Sequence, residues 1–368
     1  ESWDGSSWTE VGDLNTARKN GTPAGFPGGQ NDALMIAGII TAQVATVEEW
    51  SFPSTPVVQE GQLWIKTATG TSSVMKGHQA AGTGAWASGG NLNTGRYSSA
   101  GAGIQTAGLV FGGAAPSRTG ATEEYNGSAW TESGDLAGVR NELGGDGVQT
   151  SAMAAGGRLA PAATDNVELY NGSTWSETTE MNTARDSLSG FGATNTATIM
   201  VSGQPMTPAV EQWNGSSWTE IAELNANKEL GASAGTVTSG ITMGGFIASP
   251  AKTNQTETWD GTAWTEVGDF NTARNRLAAA GKSNGTALIY GGENASDALV
   301  SITELWNGSS WTELGDLSTA RYGMGGGGGA MPALSALASG GYGGSPAAAI
   351  TTTEEWTIPF VTKTIGTD

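Results

Sequence analysis

Trp306-Asn-Gly-Ser-Ser-Trp-Thr-Glu-Leu-Gly-Asp-Leu-Ser-Thr-Ala-Arg321 is one copy of a phrase that runs the length of the chain. Related copies occupy residues 3–18, 125–140, 170–185, 213–228 and 259–274, and residues 86–96 hold a shortened one. The second Trp of each copy falls at 8, 86, 130, 175, 218, 264 and 311. Ten positions later comes a basic residue: Arg18, Arg96, Arg140, Arg185, Lys228, Arg274 and Arg321. Two positions before each leading aromatic stands a carboxylate: Glu1, Glu48, Glu123, Glu168, Glu211, Glu257, Glu304 and Glu354. Successive copies lie 43 to 47 residues apart, except for one gap of 78 that holds an insertion. A period of this length belongs to radial or solenoid repeats.

Residues 274–311 show what one unit contains. After Arg274, Leu277-Ala-Ala-Ala-Gly281 reads as a strand, and Ala287-Leu-Ile-Tyr-Gly-Gly292 as a second, ended by a double glycine. A variable loop at 293–301 leads to Ile302-Thr-Glu-Leu-Trp306. Asn307-Gly308 then signals a tight hairpin into Ser310-Trp-Thr-Glu-Leu314. Four antiparallel strands repeated radially is the β-propeller plan.

These residues resemble the kelch repeat: double glycine after an apolar strand, then Glu-x-aromatic, a Trp after a short turn, and a basic residue. The double glycine stands at Gly112-Gly113, Gly156-Gly157, Gly244-Gly245, Gly291-Gly292 and Gly340-Gly341, and is degraded at Ala37-Gly38 and Ser202-Gly203. The expectation is an all-β, seven-bladed, kelch-like propeller spanning residues 1–368 as one domain. The last unit, at Thr353-Glu-Glu-Trp356, lacks the Asn-Gly-Ser-x-Trp that would supply its fourth strand. The N-terminal segment Ser7-Trp-Thr-Glu-Val11 is therefore expected to complete that blade. Residues 51–85 are expected to be an insertion in the first blade, and residues 357–368 a tail. The insertion carries Trp64, the single Trp of 14 outside the repeat positions, and His78, the only His. Both are candidates for docking the propeller to a larger assembly.

Composition excludes several function classes. Glycine is abundant at 58 residues, but it recurs at fixed offsets, which argues for turns rather than disorder. No Cys is present, so the fold needs no disulfide. The net charge of −19 argues against nucleic acid and anionic lipid as partners. No apolar run is long enough to cross a bilayer, so membrane insertion is not expected. The chain begins at Glu1 rather than Met, so a missing signal peptide carries no weight.

The repeated charges read as structure. A single ligand site would not require a basic residue in every unit, whereas a buried Arg–Glu pair in every blade would. Arg18, Arg96, Arg140, Arg185, Lys228, Arg274 and Arg321 are therefore assigned to such pairs with Glu48, Glu123, Glu168, Glu211, Glu257, Glu304 and Glu354. A second acidic series falls five residues after each repeat Trp, at Asp13, Asn91, Asp135, Glu180, Glu223, Asp269 and Asp316. Calcium could be held by such carboxylates; caps on the local backbone are the simpler reading, and no cofactor is expected. The Asn-Gly-Ser tripeptides at Asn126, Asn171, Asn214 and Asn307 match a glycosylation acceptor but are explained by hairpin chemistry.

Enzymatic chemistry finds little support. A galactose-oxidase-type copper site needs a Cys and more than one His, and zinc sites fail on the same count. A lone His78 supports no Ser–His–Asp array. Outside the repeat positions only Arg118, Arg158 and Arg276 remain for a sialidase-type arginine cluster. The loops that depart most from the repeat, 114–122, 158–166, 246–256, 293–301 and 342–352, offer Arg118, Arg158, Phe246, Lys252, Asn294, Asp297 and Tyr342 as binding residues. The near-identical Asn-Gly-Ser-Ser-Trp-Thr-Glu units also resemble kelch-type proteins of marine phages and bacteria. That resemblance implies an extracellular or virion attachment module, such as a tail fibre, decoration protein or adhesin. Its partners would be a host-surface glycan, other virion or surface proteins, or further copies of itself. The alternative expectation is a secreted lectin or a sialidase- or glycosidase-like propeller.

Overall fold

The computed structural model describes residues 83–248, 251–326, 333–344 and 348–365, together with isolated strands between residues 2 and 80. The chain divides into two compact units, Gly82–Ile358 and Glu1–Ala81 with Pro359–Asp368. Every regular element among the described residues is a β-strand.

The unit Gly82–Ile358 is propeller-like and contains six four-stranded antiparallel sheets. Five follow the sequence in simple up-and-down order, for example Ala278–Ser283, Thr286–Tyr290, Thr303–Trp306 and Trp311–Glu313. The sixth runs Gly325–Gly326, Ser335–Ser339, Thr353–Thr357, and takes Ala85–Ser88 as its outer strand. Trp356 and Trp86 face each other there, with ring centroids 5.4 Å apart. This pair is equivalent to Trp306–Trp311 at 5.5 Å and Trp259–Trp264 at 5.3 Å.

Two expectations are thereby corrected. The outer edge of the last sheet, expected to be filled by the segment 7–11, is occupied by the shortened copy around Trp86, and Trp8–Thr9 pairs with Ser2–Trp3. The repeat count predicts seven four-stranded units, and the described residues form six. The remaining repeat contributes a three-stranded sheet, Thr22–Gly25, Asp32–Ile39 and Gln43–Ser51, within the other unit. There the insertion and the tail also pair, with Val74–Ala80 between Leu63–Lys66 and Phe360–Ile365.

The residue types follow position in each sheet. Innermost strands are built of small residues, as in Ala100–Ile104 and Ala232–Thr236, because neighbouring inner strands approach closely. A Cβ placed on Gly101 would lie 2.1 Å from the Gly326 carbonyl oxygen, a distance only glycine avoids. Second strands are covered on both faces and read as continuous apolar runs, such as Leu288, Ile289 and Tyr290 at 0% exposure. The outer strands at Trp130, Trp175, Trp218 and Trp264 bury their Trp and expose the two residues that follow. The core therefore lies between sheets: Phe111 packs with Tyr170 and Trp175, Met153 with Trp213 and Trp218, and Phe191 with Trp259 and Trp264.

Polar groups lock the same interfaces. The Trp130 indole donates to Thr353 Oγ1 and the Trp175 indole to Thr122 Oγ1, each at 2.9 Å, and each reaches the preceding sheet. The six basic residues from Arg96 to Arg321 pair with Glu123, Glu168, Glu211, Glu257, Glu304 and Glu354 at 2.5 to 3.0 Å, all buried. This is the pairing expected from the sequence; Arg18 lies outside the described residues, and for Glu48 only its strand, Gln43–Ser51, is described. The second carboxylate oxygen accepts a backbone N–H three residues before the basic residue, for example Asn271 N to Glu304 at 2.7 Å. Each pair thus ties the segment entering a sheet to that sheet's third strand.

Where two sheets carry Tyr in place of the leading Trp, the hydroxyl finds a carboxylate. Tyr170 donates to Glu124 Oε1 at 2.5 Å. Burial, together with that acceptor, pushes the Tyr170 phenol up from 10.0 to about 12. A raised phenol contributes stability that is complete below the unfolded value and lost as pH rises through the folded one. Unfolding free energy should therefore fall between about pH 10 and 12, and Tyr170→Phe should flatten that part of the curve in urea melts. An unchanged slope in Tyr170→Phe would remove Tyr170 as its cause.

Candidate functional site

The site begins one residue after each buried cation. At the second position after it stand Ser98, Glu142, Ser187, Leu230, Arg276 and Gly323, all in the left-handed region with φ between 51° and 63°. That conformation is costly for residues other than glycine and persists only where the surroundings enforce it. Here the enforcement is a cycle. Ser98 N donates to Gly323 O, Glu142 N to Ser98 O, Ser187 N to Glu142 O, Leu230 N to Ser187 O, Arg276 N to Leu230 O, and Gly323 N to Arg276 O, at 2.7 to 3.0 Å. The six residues rim a cavity of about 140 Å³ whose walls are the inner strands.

Around this rim lies a second ring, in which the residue after each cation pairs with the residue after each double glycine or its equivalent. The pairs are Tyr97–Ala114, Asn141–Arg158, Asp186–Gln204, Glu229–Phe246, Asn275–Glu293 and Tyr322–Tyr342. Following the cycle, Asp186 and Glu229 occupy successive units after Glu142, and Tyr322 and Tyr97 occupy the next successive pair after Arg276. One arc is therefore acidic and the opposite arc aromatic.

The aromatic arc is tightly associated. Tyr322 and Tyr342 stack at 5.4 Å with 30° between planes, and Tyr97 meets Tyr342 edge-on at 5.4 Å. The Arg276 guanidinium lies over Tyr322, 4.9 Å from its centroid. All three tyrosines remain partly exposed. Tyr97 also borders a groove of about 590 Å³ with Pro116, Arg118, Val139, Asn141 and Leu159. Val139 is 53% exposed, a rarity among the large apolar residues here.

On the acidic arc, Asp186 pairs with Arg158 at 3.2 Å and Ser187 Oγ donates to it at 2.9 Å. Glu229 is 8% exposed, and its Oε2 is buried without a hydrogen-bond partner. Burial first, then the charges of Asp186 and Glu142, hold the Glu229 carboxyl above the ordinary carboxylate range, against the opposing pull of Arg276.

The structure sorts the residues singled out from sequence. Arg118 lines the groove and donates through Nε to Asn141 Oδ1 at 2.8 Å, and Arg158 and Tyr342 belong to the outer ring. Lys252 is a clamp, bound to Glu293, Asp297 and the Asn294 carbonyl at 2.6 to 2.8 Å with its side chain 1% exposed. It also lies 5.9 Å from the centre of the Phe246 ring. Asn294 Oδ1 caps the backbone N–H groups of Ser296 and Ala298, a turn role. Asp297 is the exposed member, held below the ordinary carboxylate range by its hydrogen bond from Lys252. Trp64 and His78 sit on paired strands in the other unit, opposite Lys76 and Thr362.

Of the second acidic series, Asp135 accepts from Thr122 N at 3.2 Å and Asp316 from Thr303 N at 3.1 Å, the backbone-capping role expected. Among the described residues no group of three or more acidic, His or Cys side chains is arranged to hold a metal.

Sequence reasoning missed Tyr97, Glu142, Asp186, Glu229 and Tyr322. Their signal was available: the two positions after the basic residue vary between copies while the flanking register stays constant.

No family model matches the chain, and no curated protein matches it. Among solved structures, that of YjhT is similar, with a TM-score of 0.61 and 14% identity, covering 74% of this chain and 99% of that one, which is a likeness of fold.

Proposed function

We propose that the chain is a non-enzymatic attachment module, a six-bladed propeller that binds a glycan at the rim of its axial cavity, displayed outside the cell or on a virion. The observation that carries this reading is the association of Tyr97, Tyr322 and Tyr342 beside that cavity and groove. Partly exposed aromatic faces next to carboxylates, amides and a guanidinium suit a polyhydroxylated ring. The C–H face of such a ring stacks while its hydroxyls reach polar groups. The sequence adds a rigid repeat scaffold with variation confined to loops and rim.

Calorimetric titration with a panel of neutral and charged oligosaccharides tests it. At least one is expected to bind, and Tyr322→Ala should weaken that binding by about 10- to 30-fold, with a thermal melt establishing that the variant is folded. Absence of binding across the panel, or binding indifferent to Tyr322→Ala, would remove the rim as the site. Shortening of the oligosaccharide during incubation would support the glycan-cleaving alternative instead.

A further inference from the structure

The acidic groups at the rim are answered unevenly. Asp186 is answered by Arg158 at 3.2 Å, and Glu293 by Lys252 at 2.8 Å. Among the described residues, Glu142 and Glu229 form no ion pair within 4.0 Å. Arg276, which also lines the cavity, lies over the Tyr322 ring and 4.0 Å from Glu293, with no ion pair to Glu142 or Glu229. Glu142 lines the cavity wall itself. Glu229 lies two units further along the cycle, nine-tenths buried, with one carboxylate oxygen lacking any hydrogen-bond donor. A buried acceptor without a partner is costly to maintain, and a cationic donor would remove that cost. On the opposite arc Tyr97 and Tyr322 adjoin the rim residues Ser98 and Gly323, with Tyr342 paired to Tyr322, a cluster suited to a sugar ring or to the diffuse positive charge of C–H groups beside an ammonium.

Resting on the glycan reading above, we infer that the rim selects a sugar carrying a primary ammonium, an unacetylated hexosamine, with the ammonium toward Glu142 and Glu229 and the ring toward Tyr97, Tyr322 and Tyr342. Each part of the ligand then has a chemically matched arc. A neutral hexose would leave the acidic arc unanswered, and a sialic acid or uronic acid would place a carboxylate beside it.

The test compares three probes on the full chain by calorimetry at neutral pH: a glucosamine trimer, an N-acetylglucosamine trimer and a glucose trimer. The glucosamine trimer is expected to bind about 10- to 100-fold more tightly than its acetylated counterpart, the range of a charge-assisted hydrogen bond. Glu142→Gln and Glu229→Gln should each reduce that preference. Glu132→Gln, on an exposed outer strand, controls for diffuse attraction to an acidic protein and should leave the preference intact. Thermal melts establish that each variant is folded. Equal affinity for the acetylated and unacetylated trimers overturns the inference and leaves the glycan reading standing. A preference that survives both Gln variants, or falls equally in Glu132→Gln, also overturns it. Failure of any saccharide to bind overturns the glycan reading and this inference with it.

Discussion

A chain of residues 82–358 is expected to fold cooperatively on its own, whereas one of residues 90–358 is expected not to. The two differ by the strand Ala85–Ser88, which pairs with residues 354–357 of the strand Thr353–Thr357. Its removal leaves the last sheet with three strands and an open edge, and open edges recruit other chains. It also takes away Trp86, whose ring meets Trp356 at 5.4 Å and Tyr290 at 4.9 Å, and whose indole donates to Thr303 Oγ1. Trp86→Ala in the longer chain should by itself cost about 3 kcal/mol, a large share of the roughly 5–15 kcal/mol that holds a typical domain folded. Circular dichroism melts and gel filtration read both results: a sharp transition and monomeric elution for 82–358, early unfolding or aggregation for 90–358. If 82–358 is itself unstable, a strand from residues 1–81 or 359–368 must be required, and closure by Ala85–Ser88 is insufficient.

The strand plan of each unit was readable from the repeat because period-2 patterning, double glycines and Asn-Gly turns are local signals. The Arg–Glu pairs were readable too, since parity along a strand puts Glu304 and Trp306 on one face and recurrence argues against a ligand role. The edge of the last sheet was harder. It depends on which of two similar segments, around Trp8 or around Trp86, occupies one edge, and both carry an adequate strand. The choice is made by packing against Tyr290 and Thr303, more than 200 residues away, which no local pattern encodes. The site was legible in position but not in content. Arg118, Arg158 and Tyr342 came from loops that looked variable, whereas Tyr97, Glu142 and Glu229 sit beside the most regular residue of the repeat. The cycle of backbone hydrogen bonds that brings those positions together is a property of the assembled sheets.

Arg274→Met is expected to destabilise the fold by about 3–5 kcal/mol. Arg158→Ala, in contrast, should cost less, because the Arg158 half of its pair stands largely in water. Both residues form ion pairs, so burial is the variable that separates them. Arg274 and Glu304 are 0% exposed, while the Arg158 side chain is 45% exposed above a buried Asp186 that keeps its hydrogen bond from Ser187. Burial pushes the Arg274 guanidinium down from its ordinary value and Glu304 pulls it back up, so the charge persists because its partner is present. With Arg274 removed, Glu304 keeps its hydrogen bonds from Asn271 N and Nδ2, at 2.7 Å each, but loses its counter-ion. Glu304→Gln in the Arg274→Met background removes the stranded charge and should recover part of the loss, because an uncompensated buried charge costs more than an absent pair. Urea titrations of the two single variants and the double variant form the cycle. Additive losses would mean that the pair does not couple and that the repeat preserves Arg and Glu for separate reasons. A large positive coupling would assign the ten-residue spacing of Trp and basic residue to a stability element repeated in each of the six sheets, leaving the unpaired rim positions free to vary for binding.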